Sequence, residues 1–371
     1  MTMTRTLQNS ATLYLAFELS AKKWKLAFTC ELGARPRIRN VEAGDFAAVR
    51  QEIEAARRHL GIASAKVMSC YEAGRDGFHL HRWLSREGVS NLVVDPASVE
   101  VERRRRKRKT DRIDVIKLLN RLVRHAWGEK VWSVVNVPSE QAEDERRVHR
   151  ERERLIKERT QHLTRIKALL ATRGLRPDKL NESALEQLRD WAGAPLPEHL
   201  RRELTRELAR LHLLTTQIRD VEREFTNLLN QDTPAAQATK ALKRVKSVGM
   251  VAAQVLAYEF FGWRQFDNRR QVGALAGMTG TPFSSGQLDH EQGISKAGNR
   301  RVRSIMTEVA WTWLRYQRTS ALSRWYQDKY AGGNKRQRRT GIVALARKLL
   351  IALWRFVDQD VVPEGAILRA A

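Results

Sequence analysis

A chain of 371 residues is too long for one ordinary compact domain, so two or three are expected. Its 68 Lys and Arg against 42 Asp and Glu give a formal net charge of +26, a self-repulsion that points to nucleic acid as the partner. No apolar run approaches the roughly 18–20 residues needed to span a bilayer, the opening Met1-Thr2-Met3-Thr4-Arg5 has no apolar signal core, and Cys30 and Cys70 alone build neither a disulfide framework nor a zinc cluster. A cytoplasmic, reducing location without a membrane partner is therefore expected.

The N-terminal third reads as α/β. Tyr14-Leu15-Ala16-Phe17-Glu18 is a short apolar run ending in an acid, and 24–29 alternates as a half-buried strand does. With 35–41 these predict a three-stranded meander. A helix follows over 46–60, then a buried strand over 66–71 that also ends in an acid, Glu72. A helix over 78–86 and a strand over 91–94, closed by Asp95-Pro96, continue the pattern. The cationic run Arg103-Arg104-Arg105-Arg106-Lys107-Arg108-Lys109 then leads into Thr110-Asp111-Arg112-Ile113-Asp114.

Asp111 and Asp114 stand three residues apart, which on a helix makes them neighbours. Two bare carboxylates repel, and a hard divalent cation would relieve them. A metal beside a polyanion-binding run suggests chemistry on phosphodiesters. Taken alone, the pair is better explained as a solvated helix start, favoured by the helix dipole. Glu18 and Glu72 both lie where a strand runs out into a loop, and open α/β sheets gather ligands at strand carboxyl ends. Four such carboxylates suit Mg²⁺; taken singly, each is an ordinary loop acid.

After Trp132 charge becomes dense. Leu155, Ile156, Leu163, Ile166, Leu169 and Leu170 recur at helical spacing, and so do Leu204, Leu208, Leu211, Leu214, Ile218 and Val221. An antiparallel helical pair or coiled coil is predicted, acting as a solvent-bridging spacer or in dimerisation or RNA binding. Its histidines show no metal-ligand spacing.

The last third opens with 241–249, where Lys243 and Lys246 flank a turn at Gly249 before an apolar helix over 251–261. This looks like a helix-hairpin-helix whose turn amides contact a phosphate backbone, or a plain packing unit. The segment 271–299 is glycine-rich and predicted to be loop, with Ser284 and Ser285 at a flexible, exposed position. Ile294-Ser295-Lys296-Ala297-Gly298-Asn299-Arg300-Arg301-Val302-Arg303 follows and leads into a helix over 305–316. Glycine-rich backbone beside a cationic helix start suits close approach to phosphates. Lys296, Asn299, Arg300, Arg301 and Arg303 are therefore candidate nucleic-acid contacts, with Lys243, Lys246, Arg112 and the 103–109 run. A basic turn over 334–339 and a helix over 342–357 close the chain.

Taken in order, the acid after the first strand, Tyr71-Glu72-Ala73-Gly74, Asp95-Pro96-Ala97 and Lys109-Thr110-Asp111-Arg112-Ile113-Asp114 resemble the N-terminal domain of the DEDD transposases of bacterial insertion sequences, recombinases guided by a bridge RNA. Gly277-Met278-Thr279, Ser284-Ser285-Gly286 and the 294–303 segment are similar to the C-terminal domain of the same family. The resemblance implies a ribonuclease-H-like (RuvC-like) α/β domain over 1–132, a helical coiled-coil spacer over 133–235 and a mainly α-helical transposase domain over 236–371. It implies Mg²⁺ on Glu18, Glu72, Asp111 and Asp114, and Ser285 as the nucleophile of a covalent phosphoserine intermediate. The family's first acid is usually Asp; Glu18 carries its carboxylate about 1.5 Å further out. Donor and target DNA, a structured guide RNA and a homo-oligomer, dimer or tetramer, with a site shared between chains, are the implied partners. Two other classes remain open: a Holliday-junction nuclease using the metal alone, and a non-catalytic nucleic-acid-binding protein.

Overall fold

A computed structural model of the chain describes residues 11–98, 110–178, 181–285 and 288–369. The chain divides into two compact units, Met1–Val137 and Pro138–Ala371.

In the first unit the alternating segments form β1 (Thr12–Glu18), β2 (Lys23–Thr29) and β3 (Arg37–Glu42), an antiparallel meander as expected. Helix α1 (Phe46–His59), β4 (Lys66–Glu72), α2 (His79–Arg86), β5 (Ser90–Val94) and α3 (Asp111–Ala126) complete it. The mixed sheet has the order β3-β2-β1-β4-β5, with β4 and β5 parallel to β1. Strand side chains alternate between faces, so β1 is sorted residue by residue. Leu13, Leu15 and Phe17 join Val49, Ile53 and Ala56 of α1 and Leu80 and Leu84 of α2 on one side. Tyr14 and Ala16 join Val115, Leu118, Leu119, Leu122 and Val123 of α3 on the other. Burial on both faces explains why the central strands read as continuous apolar runs.

The second unit begins with α4 (Glu140–Ala171), the short α5 (Glu182–Gln187) and α6 (Glu198–Leu229). The two long helices run antiparallel: Leu155 meets Leu214, Ile218 and Val221, while Ile166 and Leu170 meet Leu204 and Leu208. Then follow α7 (Pro234–Arg244), α8 (Met250–Leu256), α9 (Arg269–Leu275), β6 (Gly280–Ser285), β7 (Leu288–Ile294), α10 (Arg300–Tyr316), α11 (Ala321–Tyr326) and α12 (Lys335–Gln359). Fully buried Met306, Ala310 and Trp313 of α10 pack with Leu345, Leu349 and Leu353 of α12 in a core that also holds Leu256 and Phe260. Among the described residues no helix is long and apolar enough to cross a membrane.

Three expectations are corrected. The apolar helix over 251–261 ends as α-helix at Leu256 and continues as a π-helical turn, Ala257–Phe261. The glycine-rich 271–299 segment is not loop: α9 starts it, and β6 and β7 pair as a hairpin with an irregularity between Gly280 and Pro282. Pro282 lies in a two-stranded ribbon whose strands are both edges, the setting in which sheets accommodate proline. The basic 334–339 stretch is the first turn of α12, capped by Asn334, whose side chain accepts from the Gln337 N–H while Gln337 answers at the Asn334 N–H.

Candidate functional site

The acids of the first unit lie where the fold places ligand sites. Glu18 and Glu72 end the adjacent parallel strands β1 and β4, the first half-buried and the second exposed. Thr110 caps α3 by accepting from the Ile113 N–H, which puts Asp111 and Asp114 in its first turn, exposed and half-buried respectively. Arg112 is exposed beside them. The α3 helix lies on the sheet, with Cys70 of β4 buried against Leu118, one turn beyond Asp114. Carboxylate oxygens are the kind of donor that Mg²⁺ accepts. The arrangement presents the acids as two pairs, two on strand ends and two on one helical turn. Among the described residues no group of three or more His, Cys, Asp or Glu is gathered to hold a metal ion. The run Arg103, Arg104, Arg105, Arg106, Lys107, Arg108 and Lys109 lies outside the described residues.

In the second unit Ser284 and Ser285 are the last residues of β6, in register with Asp289 and Leu288 of β7. The hairpin is anchored where β7 returns to α10. Ser295 N–H donates to the Thr279 carbonyl, Lys296 N–H to Gly277 and Asn299 N–H to Leu275. Gly277 and Gly298 interlock at this crossing: a Cβ on Gly298 would lie 2.4 Å from the Leu275 carbonyl oxygen, and one on Gly277 2.7 Å from that of Ala297. Both also have positive φ, at 66° and 139°, so only glycine fits. Lys296, at φ 57°, adopts the left-handed conformation without being glycine.

The candidate nucleic-acid contacts divide by environment. Asn299 is engaged twice: its side-chain oxygen caps α10 by accepting from the Arg301 and Val302 N–H groups, and its amide donates to Glu259 Oε2 at 3.0 Å. Arg301 pairs with Glu153 at 2.6 Å, and Arg303 donates to the Ala276 carbonyl. Lys296 and Arg300 are exposed, as are Lys243 and Lys246. The turn between α7 and α8 is tied to the C-terminal segment. Lys246 N–H donates to the Ile367 carbonyl, and the Arg369 guanidinium takes the carbonyls of Lys243, Lys246 and Val248.

Glu259, which the sequence does not single out, sits in the π-helical turn with a fully buried side chain. Arg150 of α4 grips it through Nε and Nη2 at 2.7 and 2.9 Å, and His149 Nε2 lies 3.1 Å away. Burial alone would push its carboxyl up; the nearby His149 ring nitrogen and the hydrogen-bonded Arg150 guanidinium outweigh that and hold it well below the usual carboxylate range. The hint in the sequence is a lone acid inside an apolar helix, a position where a charge needs a partner.

The description transposase IS116/IS110/IS902 family fits a family model matching residues 239–327, the stretch holding the π-helical turn, the hairpin and all of α10. A putative transposase, y4rJ, of Sinorhizobium fredii (strain NBRC 101917 / NGR234) is 40% identical over 379 residues, covering 96% of this chain and 94% of the relative. The transposase for insertion sequence element IS1111A of Coxiella burnetii is 26% identical, over 81% of this chain and 80% of its own. That for insertion sequence element IS1328 of Yersinia enterocolitica is 27% identical, over 58% of this chain and 63% of its own. A relationship at 40% identity along nearly the whole length of both chains settles membership: the chain belongs to the IS116/IS110/IS902 family of transposases.

Proposed function

We propose that the chain moves an insertion sequence by cutting and rejoining DNA strands through transesterification at Ser285. The observation that carries this reading is the family relationship, which spans both the strand-end acids of the first unit and the Ser285 hairpin of the second. The Ser285 hydroxyl oxygen attacks a DNA phosphorus; the new Oγ–P bond forms as the P–O3′ bond breaks. The serine gives up its proton, and the departing 3′ oxygen takes one up as a hydroxyl. The phosphodiester energy stays in the phosphoserine link, so rejoining needs no ATP. Glu18, Glu72, Asp111 and Asp114, which stand as two pairs rather than one gathered group, are the residues that would hold Mg²⁺, and the ion would supply polarisation of a phosphoryl oxygen.

The first unit is read as ribonuclease-H-like (RuvC-like), a reading supported by the 3-2-1-4-5 sheet in which only β2 is reversed. The second is divided near residue 235 into a helical spacer and a transposase domain. A structured guide RNA selects the DNA sites by base pairing, and the protein grips backbones without reading much sequence. The working form is a homo-oligomer.

Suicide DNA substrates on denaturing gels test the chemistry. Ser285→Ala loses both cleavage and the covalent protein–DNA adduct, whereas Ser284→Ala keeps them. Asp114→Asn loses cleavage but still binds nucleic acid. Free cleaved DNA without an adduct, or full activity in Ser285→Ala, would leave a metal-dependent nuclease as the better reading.

A further inference from the structure

Directly after the π-helical turn come Gly262, Trp263 and Arg264, and here the second unit holds one cation, Arg264, with no acid bonded to it among the described residues. The Arg264 guanidinium carbon stands 4.3 Å from the centre of the Trp263 ring and 5.6 Å from that of Phe260. Arg146 of α4, itself buried, approaches the same indole, at 4.9 Å. Two guanidinium groups therefore share one aromatic ring in a setting of low polarity. Arg146 Nε donates to the Ala142 carbonyl one turn back on its helix. Arg264 has no hydrogen-bond or carboxylate partner among the described residues. Its Nε and the neighbouring Trp263 Nε1 are buried donors with no acceptor.

A buried donor left unsatisfied costs about 1–3 kcal/mol, and native structures leave few such groups without a reason. The nearby acids do not supply one. Glu259 raises the Arg264 pKa, but its carboxylate already receives both arms of Arg150 and the Asn299 amide, with His149 Nε2 3.1 Å away. Desolvation by Phe260 and Trp263, with the Arg146 charge, pulls Arg264 down to about 10, so it remains a full cation at neutral pH. A charge of this kind gains most from a partner that brings its own negative charge. Arg264 is half-buried, so the outer edge of its planar fork faces solvent. Contact with the indole at 4.3 Å restrains the guanidinium, and a restrained fork suits the paired oxygens of a phosphodiester.

We propose that Arg264, held against Trp263 beside Arg146, is a binding site for one backbone phosphate of nucleic acid. The proposal rests on the nucleic-acid function proposed above and adds to it a specific contact. That contact lies outside both the cationic run before α3 and the cationic start of α10. Because the backbone phosphate is the same group in DNA and RNA, the test uses both polymers.

The full chain and Arg264→Gln are titrated with a duplex DNA and with an RNA hairpin, each of unrelated sequence, over a range of salt. Removing one charge-assisted hydrogen-bonding group should weaken binding roughly tenfold or more. It should also flatten the plot of log affinity against log salt by about one unit. The polymer whose binding responds is the one that uses the site. Thermal melting confirms that the variant is folded. A second measurement needs no variant: phenylglyoxal labelling of the wild-type chain, read by mass spectrometry, should mark Arg264 when free and be suppressed by the polymer that binds. A folded Arg264→Gln with unchanged affinity and salt slope for both polymers overturns the site, as does labelling that is absent or indifferent to nucleic acid. If the wild-type chain binds neither polymer, the proposed function fails and the site with it.

Discussion

A carboxylate buried among apolar side chains is normally neutral or absent, and Glu259 is neither. Arg150 and His149 reach it from α4 and Asn299 from the cap of α10, so one side chain fastens three segments of the second unit. Removing one partner from such a group strands the others, at a cost of roughly 3–5 kcal/mol. Glu259→Ala should therefore lower the melting temperature well beyond Glu259→Gln, which keeps the shape and an acceptor for Asn299. Chemical denaturation across pH checks the charge itself. The folded carboxyl titrates below its unfolded value of 4.5. Its contribution is thus complete above that value and is lost as pH falls through the acid range. The stability gap between wild type and Glu259→Gln should stay flat from neutral pH to about 5 and narrow below 4.5. A gap independent of pH down to about 3 would mean that charge is not what Glu259 supplies.

At the level of elements, the crossing of Gly277 and Gly298 holds the Ser285 hairpin at the start of α10. A methyl on Gly298 meets the Leu275 carbonyl at 2.4 Å, so backbone must move, whereas one on Gly293 meets nothing despite a φ of 95°. Gly293→Ala should cost only the left-handed penalty of about 1–2 kcal/mol. Gly298→Ala should cost that and the clash, and should abolish strand cleavage in the suicide-substrate assay. Equal effects of the two substitutions would show that the crossing does not matter. This arrangement is hidden in the sequence while others are plain, and the difference is physical. The strands and helices of the first unit follow apolar periodicity, which is set by burial against a sheet. The α4–α6 pair follows its leucine stripe for the same reason. The hairpin has little periodicity: Pro282, Ser284 and Ser285 with glycine at both ends read as loop, although pairing with β7 makes them a strand. The roles of Asn299 and Glu259 depend on a hydrogen bond between groups 40 residues apart in sequence, and no local pattern carries it. The π-helical turn is likewise invisible to a helical period.

Over the whole molecule, charge is the most readable property, and it bears on how the two units divide the work of binding. The net charge of +26 favours any polyanion, and its effect is collective: each phosphate contact adds about 0.9 unit to the salt slope on duplex DNA, whatever the sequence. The run Arg103–Lys109 belongs to the first unit and Arg264 to the second. Neutralising Arg104, Arg105 and Arg106 to Gln should weaken binding of unrelated sequences about equally and flatten the slope by nearly one unit for each phosphate those arginines neutralise. Arg264→Gln should flatten it by about one further unit. If the two regions grip different phosphates, the quadruple variant should show the sum of the two changes, as independent sites do. If the run is only a solvated face, the triple variant keeps the wild-type affinity and slope, and the quadruple variant matches Arg264→Gln alone. Salt titrations of wild type and the three variants on one duplex separate these outcomes, because neutralising a solvated arginine leaves the slope unchanged and neutralising a phosphate-bound one cannot.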